Sequence, residues 1–89
     1  MRSSDLWADT RHTGYVSEPW PLDLLLFNET SDPFGAHVGL YLGQGRVIHL
    51  SQRIGRAAIW PIERFAQEPG YEIFIGAKRV KLAAAPISS

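Results

Sequence analysis

His37 and His49 are the residues of this chain best suited to acid–base chemistry. They bracket the run His37-Val-Gly-Leu-Tyr-Leu-Gly-Gln-Gly-Arg-Val-Ile-His49, followed by Leu50-Ser51. Imidazole titrates near neutrality, so such a pair could serve a catalytic or a ligand role. Two stretches of β-formers, Val38 to Leu42 and Arg46 to Leu50, flank Gly43-Gln44-Gly45. That pattern predicts a hairpin. With the loop there, Leu42 faces Arg46 and His49 lies across from Gly39. Side chains alternate along a strand, so His37 shares a face with His49 as its diagonal neighbour, roughly 7–8 Å away at the backbone. Gly39 leaves an empty slot between them. A slip of one residue would send the rings to opposite faces. Spacing alone does not decide the role, because paired histidines on a sheet also occur as ordinary core or surface residues.

The elements around the pair follow from pattern. Leu22 to Phe27 is apolar except at Asp23 and reads as a strand buried on both faces. Asn28 to Ala36 carries turn chemistry at Asn28, Ser31-Asp-Pro33 and Gly35, and would form the rim of a site. Val38, Leu40, Leu42, Ile48 and Leu50 form the second face of the hairpin and read as core. A polar turn over Ser51 to Gly55 leads to a strand at Ala57 to Trp60. Pro61 opens a helix to Gln67 of about two turns, and Pro69-Gly70 ends it. Tyr71 to Val80 is the closing strand, with Lys78-Arg79 as a solvated edge. Ser4 to Asp9 could form a single helical turn. Pro19-Trp20-Pro21 is a rigid extended entry. His12 reads as a solvated loop residue. The expected architecture is α+β, a small antiparallel sheet of about five strands, partly open barrel, with one short helix. Residues 1–20 form an N-terminal arm, 21–82 the sheet domain and 83–89 a disordered tail.

Four segments resemble one family in order and with matching gaps. They are Asp23-Leu-Leu-Leu-Phe27, His37-Val-Gly-Leu-Tyr-Leu-Gly43, Val47-Ile-His49-Leu-Ser51 and Gly76-Ala-Lys-Arg-Val80. Together they look like the second half of an NlpC-type cell-wall cysteine peptidase. Those papain-like hydrolases carry a "GDLVFF" strand, an "HVGIYLG" strand, a "VIHAS" strand and a closing "ARRV" strand. The resemblance covers about Pro21 to Val80 and implies His37 as general base and His49 as its orienting residue. It implies a cell-wall peptide amide as substrate, with no cofactor. Leu22 stands where the family has glycine. Asp23 matches the family's aspartate, and its expected work is to cap a turn.

The chain has no cysteine. The family's nucleophile lies in a "DCSGL" helix upstream of the Asp23 strand, or after the histidine strands in relatives of the lecithin retinol acyltransferase type. Neither place holds one here. Thr10-Arg-His-Thr13 is similar to the segment after that helix, which would start this chain just beyond it.

Composition narrows the classes. Nine Lys+Arg balance nine Asp+Glu, so no basic field exists for nucleic acid or an acidic membrane. At 45% hydrophobic and 20% charged, the 89 residues suit one small globular domain. Met1 to Tyr15 has no apolar run to serve as an export signal, so the expected compartment is the cytoplasm.

Four functions follow. A second chain could supply the cysteine helix, making this the β half of a split hydrolase. The sheet could instead be an inactive binding or regulatory module. Ser3 or Ser4 could replace the thiol, though both lie too close to Asp23 to match the family's position. Asp23, His37 and His49 could hold a metal. The substrate side would draw on the loop near Asp32, Phe34 and Gly35. The histidine face should be covered, by the arm folding back, by a cysteine-bearing partner or by a second copy in a homodimer.

Overall fold

Three leucines and a phenylalanine make the centre of the sheet. Leu25, Leu26 and Phe27 are buried, as a strand flanked on both sides and packed on both faces requires. The computed structural model describes residues 2–51 and 54–81. Its elements are α1 (Ser3–Ala8), β1 (Thr13–Val16), β2 (Leu24–Asn28), β3 (His37–Gly43), β4 (Arg46–Ser51), β5 (Arg56–Pro61), a 3-10 helix (Ile62–Gln67) and β6 (Ile73–Val80). The strands form one antiparallel sheet in the order β1-β6-β2-β3-β4-β5. The sheet is open, with β1 and β5 at its edges, so neither the five-strand count nor the partial barrel holds. The proposed tail at 83–89 lies outside the described residues.

The sixth strand comes from residues 1–20. β1 pairs with β6 through Thr13↔Val80 to Val16↔Ala77. Lys78 and Arg79 therefore lie on an interior strand, not a solvated edge. Lys78 is 0% exposed. Its ammonium donates to the carbonyls of Trp7 and Asp9 and sits 3.7 Å from the Tyr15 ring centroid. A buried amine needs such a ring of acceptors and aromatic faces to offset its lost hydration. The Tyr15 hydroxyl donates to the same Trp7 carbonyl at 2.6 Å. These contacts fasten α1 to the sheet face opposite the histidines.

The hairpin holds its expected register at the site and departs from it at the turn. His49 lies across from Gly39 and Val47 across from Tyr41, but Arg46 faces Gly43 rather than Leu42. Gln44 (φ 55) and Gly45 (φ 73) form a two-residue turn with both centres left-handed, the geometry that matches strand twist. A bulge at Leu42–Gly43 absorbs the extra residue.

The core lies on the histidine face, not on the face of Val38, Leu40, Leu42, Ile48 and Leu50. Leu25, Phe27, Val47, Trp60, Phe65 and Ala77 are its buried members. On the other face Leu50 and Ile59 are 63% and 54% exposed. Alternation alone could not choose between the faces. The choice is made by the segment after β5, which crosses back over the histidine side. The Gly45 carbonyl accepts from Ile62 N at 2.7 Å, and Gly45 N donates to the Tyr41 hydroxyl at 2.9 Å. The hairpin turn thus anchors the start of the 3-10 helix, and Phe65 stacks on Phe27 with centroids 4.1 Å apart.

Leu22 does not join the strand. It has φ 76 and is 68% exposed, in a turn where Asp23 N donates to the Trp20 carbonyl. A left-handed backbone costs a residue with a Cβ roughly 1–2 kcal/mol. Leu22→Gly relieves that strain and gives up little buried surface, against glycine's larger unfolded-state entropy. We expect the variant to be up to about 1 kcal/mol more stable, read as a higher denaturant midpoint.

Candidate active site

β3 and β4 deliver the two histidines to one face, as their register requires. His37 Nε2 lies 2.8 Å from His49 Nδ1, with the rings nearly perpendicular at 88°. The slot at Gly39 is not empty. A Cβ built there would lie 2.5 Å from Val47 Cγ1 and 3.6 Å from His49 Cβ. Glycine thus lets Val47 pack beside His49.

His49 is the inner member, 3% exposed. Trp60 and Phe65 meet it edge to face, with centroids at 4.1 Å and 4.8 Å. Its Nε2 is buried and has no hydrogen-bond partner among the described residues. Burial, then the Arg64 guanidinium, lowers its pKa, while Glu68 acts in the opposite direction. His37 is the outer member. Burial, then the neighbouring His49, lowers its pKa from 6.5 to about 4. Both rings are therefore neutral at pH 7.

Tyr71 stacks on His37 at 4.2 Å and 12°. The chain reaches it through a reversal in which Tyr71 N donates to the Glu68 carbonyl. His37 opens into a cleft of about 350 Å³ lined by Asn28, Glu29, Gly35, Ala36, Pro69, Gly70 and Tyr71. The loop between β2 and β3 is tied down at this rim. Asn28 Nδ2 donates to the carbonyls of Asp32 and Phe34, and Asp32 Oδ1 accepts from Phe34 N. Of the three loop residues expected near substrate, Gly35 lines the cleft. Asp32 is spent holding the loop, and Phe34 is 62% exposed.

No protein-family model and no curated protein matches the chain.

Asp23 is not beside the histidines. It follows the turn opposite Tyr41, whose N–H donates to its carbonyl. Its carboxylate accepts Arg79 Nε and Nη2, both at 2.9 Å, and Trp20 N at 2.7 Å. The Arg79 bonds, aided by the Trp20 N–H, hold its pKa below the usual carboxylate range. The expected turn cap is present, with an ion pair added. The Asp23–His37–His49 metal triad is overturned, and among the described residues no group of three His, Cys, Asp or Glu side chains could hold a metal ion. His12 is exposed beside Asp9. Ser3 Oγ donates to the Pro33 carbonyl and accepts from Ala36 N, which employs it as a brace between α1 and the loop.

The histidine face is covered, but not by the arm. α1 lies on the opposite side, and the cover is the segment Ile62 to Tyr71. Sequence reading put Phe65 on a generic helix and Tyr71 inside a strand. Their signal was the aromatic series Trp60, Phe65, Tyr71, interrupted by Pro61 and by Pro69-Gly70, which turn the chain back. Among the described residues no helix is long and apolar enough to cross a membrane.

Proposed function

We propose that this chain is the histidine-bearing half of an NlpC-like cysteine hydrolase of peptide amide bonds, completed by a thiol from a second polypeptide. The observation that carries this reading is the 2.8 Å contact between His37 Nε2 and His49 Nδ1. It commits one nitrogen of His37 and leaves Nδ1 for whatever enters the cleft. With the shared proton on His37 Nε2, His49 carries its own on Nε2. That buried N–H lies on a ring packed against Trp60 and Phe65. Leu22 adds support: its left-handed backbone suits the glycine of the family pattern.

The chemistry follows. Nδ1 of neutral His37 takes the thiol proton, and the thiolate attacks the amide carbonyl. The imidazolium gives its proton to the leaving amine as the C–N bond breaks. Neutral His37 then takes a proton from water, whose oxygen attacks the thioester and frees the acid and the thiol. His49 holds the ring and its tautomer throughout. A thiolate facing His37 would raise its pKa from about 4, since an opposite charge favours the imidazolium.

The second reading is an inactive binding or regulatory module. It is favoured by the 3-10 helix, whose Phe65 already fills the middle of the face a cysteine helix would approach.

The isolated chain should not cleave a γ-D-glutamyl–diaminopimelate peptide, because no covalent route exists without the thiol. Mixed with a polypeptide carrying an Asp-Cys-Ser-Gly-Leu helix, it should cleave that peptide in a thiol-dependent way, lost in His37→Ala. Turnover by the isolated chain overturns the proposal. No turnover from the mixture favours the binding module.

A further inference from the structure

Tyr71 lies between the 3-10 helix and β6 and belongs to neither. An aromatic residue there could turn to solvent or into the core. It does neither fully: it is half-buried, parallel to His37 at 4.2 Å and edge-on to His49 at 6.2 Å. Its centroid is also 6.1 Å from Phe65 and 6.3 Å from Trp60. The ring is therefore braced by the same aromatics that enclose His49. Its backbone is fixed by the bond to the Glu68 carbonyl, and its side chain forms one wall of the cleft.

A histidine ring can flip about χ2 and exchange its two nitrogens. The bond from Nε2 to His49 resists that flip with one contact. A parallel ring on one face resists it with a surface. It also shields that face from water and from any incoming group. We infer that Tyr71 is a positioning residue for His37, clamping one face of the imidazole so that a nucleophile and substrate approach from the side of the loop over residues 28–36. The catalytic sense of this rests on the hydrolase reading; the clamp itself does not. The phenol oxygen makes no bond that the clamp requires, so phenylalanine should serve as well.

Among the described residues, the titratable groups around His37 are His49 on β4, Glu29 across the cleft and Tyr71 itself; Arg64 and Glu68 stand behind His49. None but Tyr71 changes in the test. Imidazole proton shifts of the full chain are followed by NMR against pH in wild type, Tyr71→Phe, Tyr71→Leu and Tyr71→Ala. In wild type and Tyr71→Phe, the His37 carbon-bound protons should show the ring-current displacement of a stacked aromatic and one shared titration midpoint. In Tyr71→Ala that displacement should vanish. The midpoint should rise toward 6.5, and exchange of the His37–His49 bridging proton with water should quicken at least tenfold. Tyr71→Leu keeps apolar cover without a planar stack. It should lose the displacement and show faster exchange, and it serves if the alanine variant does not fold. A folded alanine or leucine variant whose bridging proton exchanges as in wild type overturns the inference, even if the ring-current displacement is lost. These readouts need neither thiol nor substrate, so a failed hydrolysis assay leaves them standing.

Discussion

Phe65→Ala should cost about 3–5 kcal/mol, the range for removing a buried aromatic side chain. Phe65 is fully buried, stacked on Phe27 and edge-on to His49. A domain of this size holds on the order of 5–10 kcal/mol in total, so the variant should sit near its folding threshold at 25 °C. The variant's stability should also depend on pH less steeply than that of wild type. His37 is held at about 4, below its unfolded value of 6.5. The unfolded chain therefore binds the extra proton between those values. Stability is full above 6.5 and falls as pH drops toward 4. The whole difference is worth roughly 3 kcal/mol, which solvent screening at a partly exposed ring reduces to about 1–2 kcal/mol. Opening the aromatic cover admits water to both rings, so part of this acid-side slope should disappear. Urea unfolding of wild type and variant at several pH values between 4 and 8 measures both effects.

Arg79→Ala should lower the denaturant midpoint, because it strands a buried carboxylate. Asp23 is 1% exposed, and two of its hydrogen bonds come from the Arg79 guanidinium. Arg79→Lys should recover only part of the loss, since an ammonium cannot reproduce the paired geometry. Arg79→Ala with Asp23→Ala should be less destabilised than the sum of the single changes, because the second removes the charge that the first leaves unpaired. The pair also gives an acid limit. A depressed carboxylate pKa contributes stability above its ordinary value and loses it as pH falls through the folded value. Denaturant midpoints of the single and double variants are the measurement. Equal midpoints for wild type and Arg79→Ala would mean that the ion pair does not hold the turn at Trp20–Asp23.

The histidine geometry was legible because it depends on period two and a short loop. A turn at Gly43–Gly45 leaves few registers, and the one that pairs Gly39 with His49 brings the imidazoles together. The bulge at Leu42–Gly43 restores this register, because the two-residue turn without it would pair Leu40 with His49 and send the rings to opposite faces. Which face became the core was not legible. Val38, Leu40 and Leu42 are as apolar as a core strand face should be. The outcome depended on where Phe65 and Tyr71 fold back, a tertiary choice that no single strand records. Lys78 misled for a related reason. A lysine near the end of a strand ordinarily marks solvent, and only β1, whose Thr-Gly-Tyr-Val sequence is short and glycine-bearing, makes that strand internal. Asp23 was legible as a turn cap but not as half of an ion pair, because Arg79 lies 56 residues away in sequence.

In the proposed hydrolase His37 is a neutral base held by His49, with its second nitrogen bare toward the cleft. Nitrogen-15 NMR of the imidazoles, followed from pH 3 to 9, tests it directly. The expected spectra show a protonated Nε2 and a bare Nδ1 on His37 at pH 7, a scalar coupling or exchange-protected proton between the two rings, and a His37 midpoint of about 4. A His37 midpoint near 6.5 with the neutral proton on Nδ1 and no bridge to His49 would contradict that arrangement.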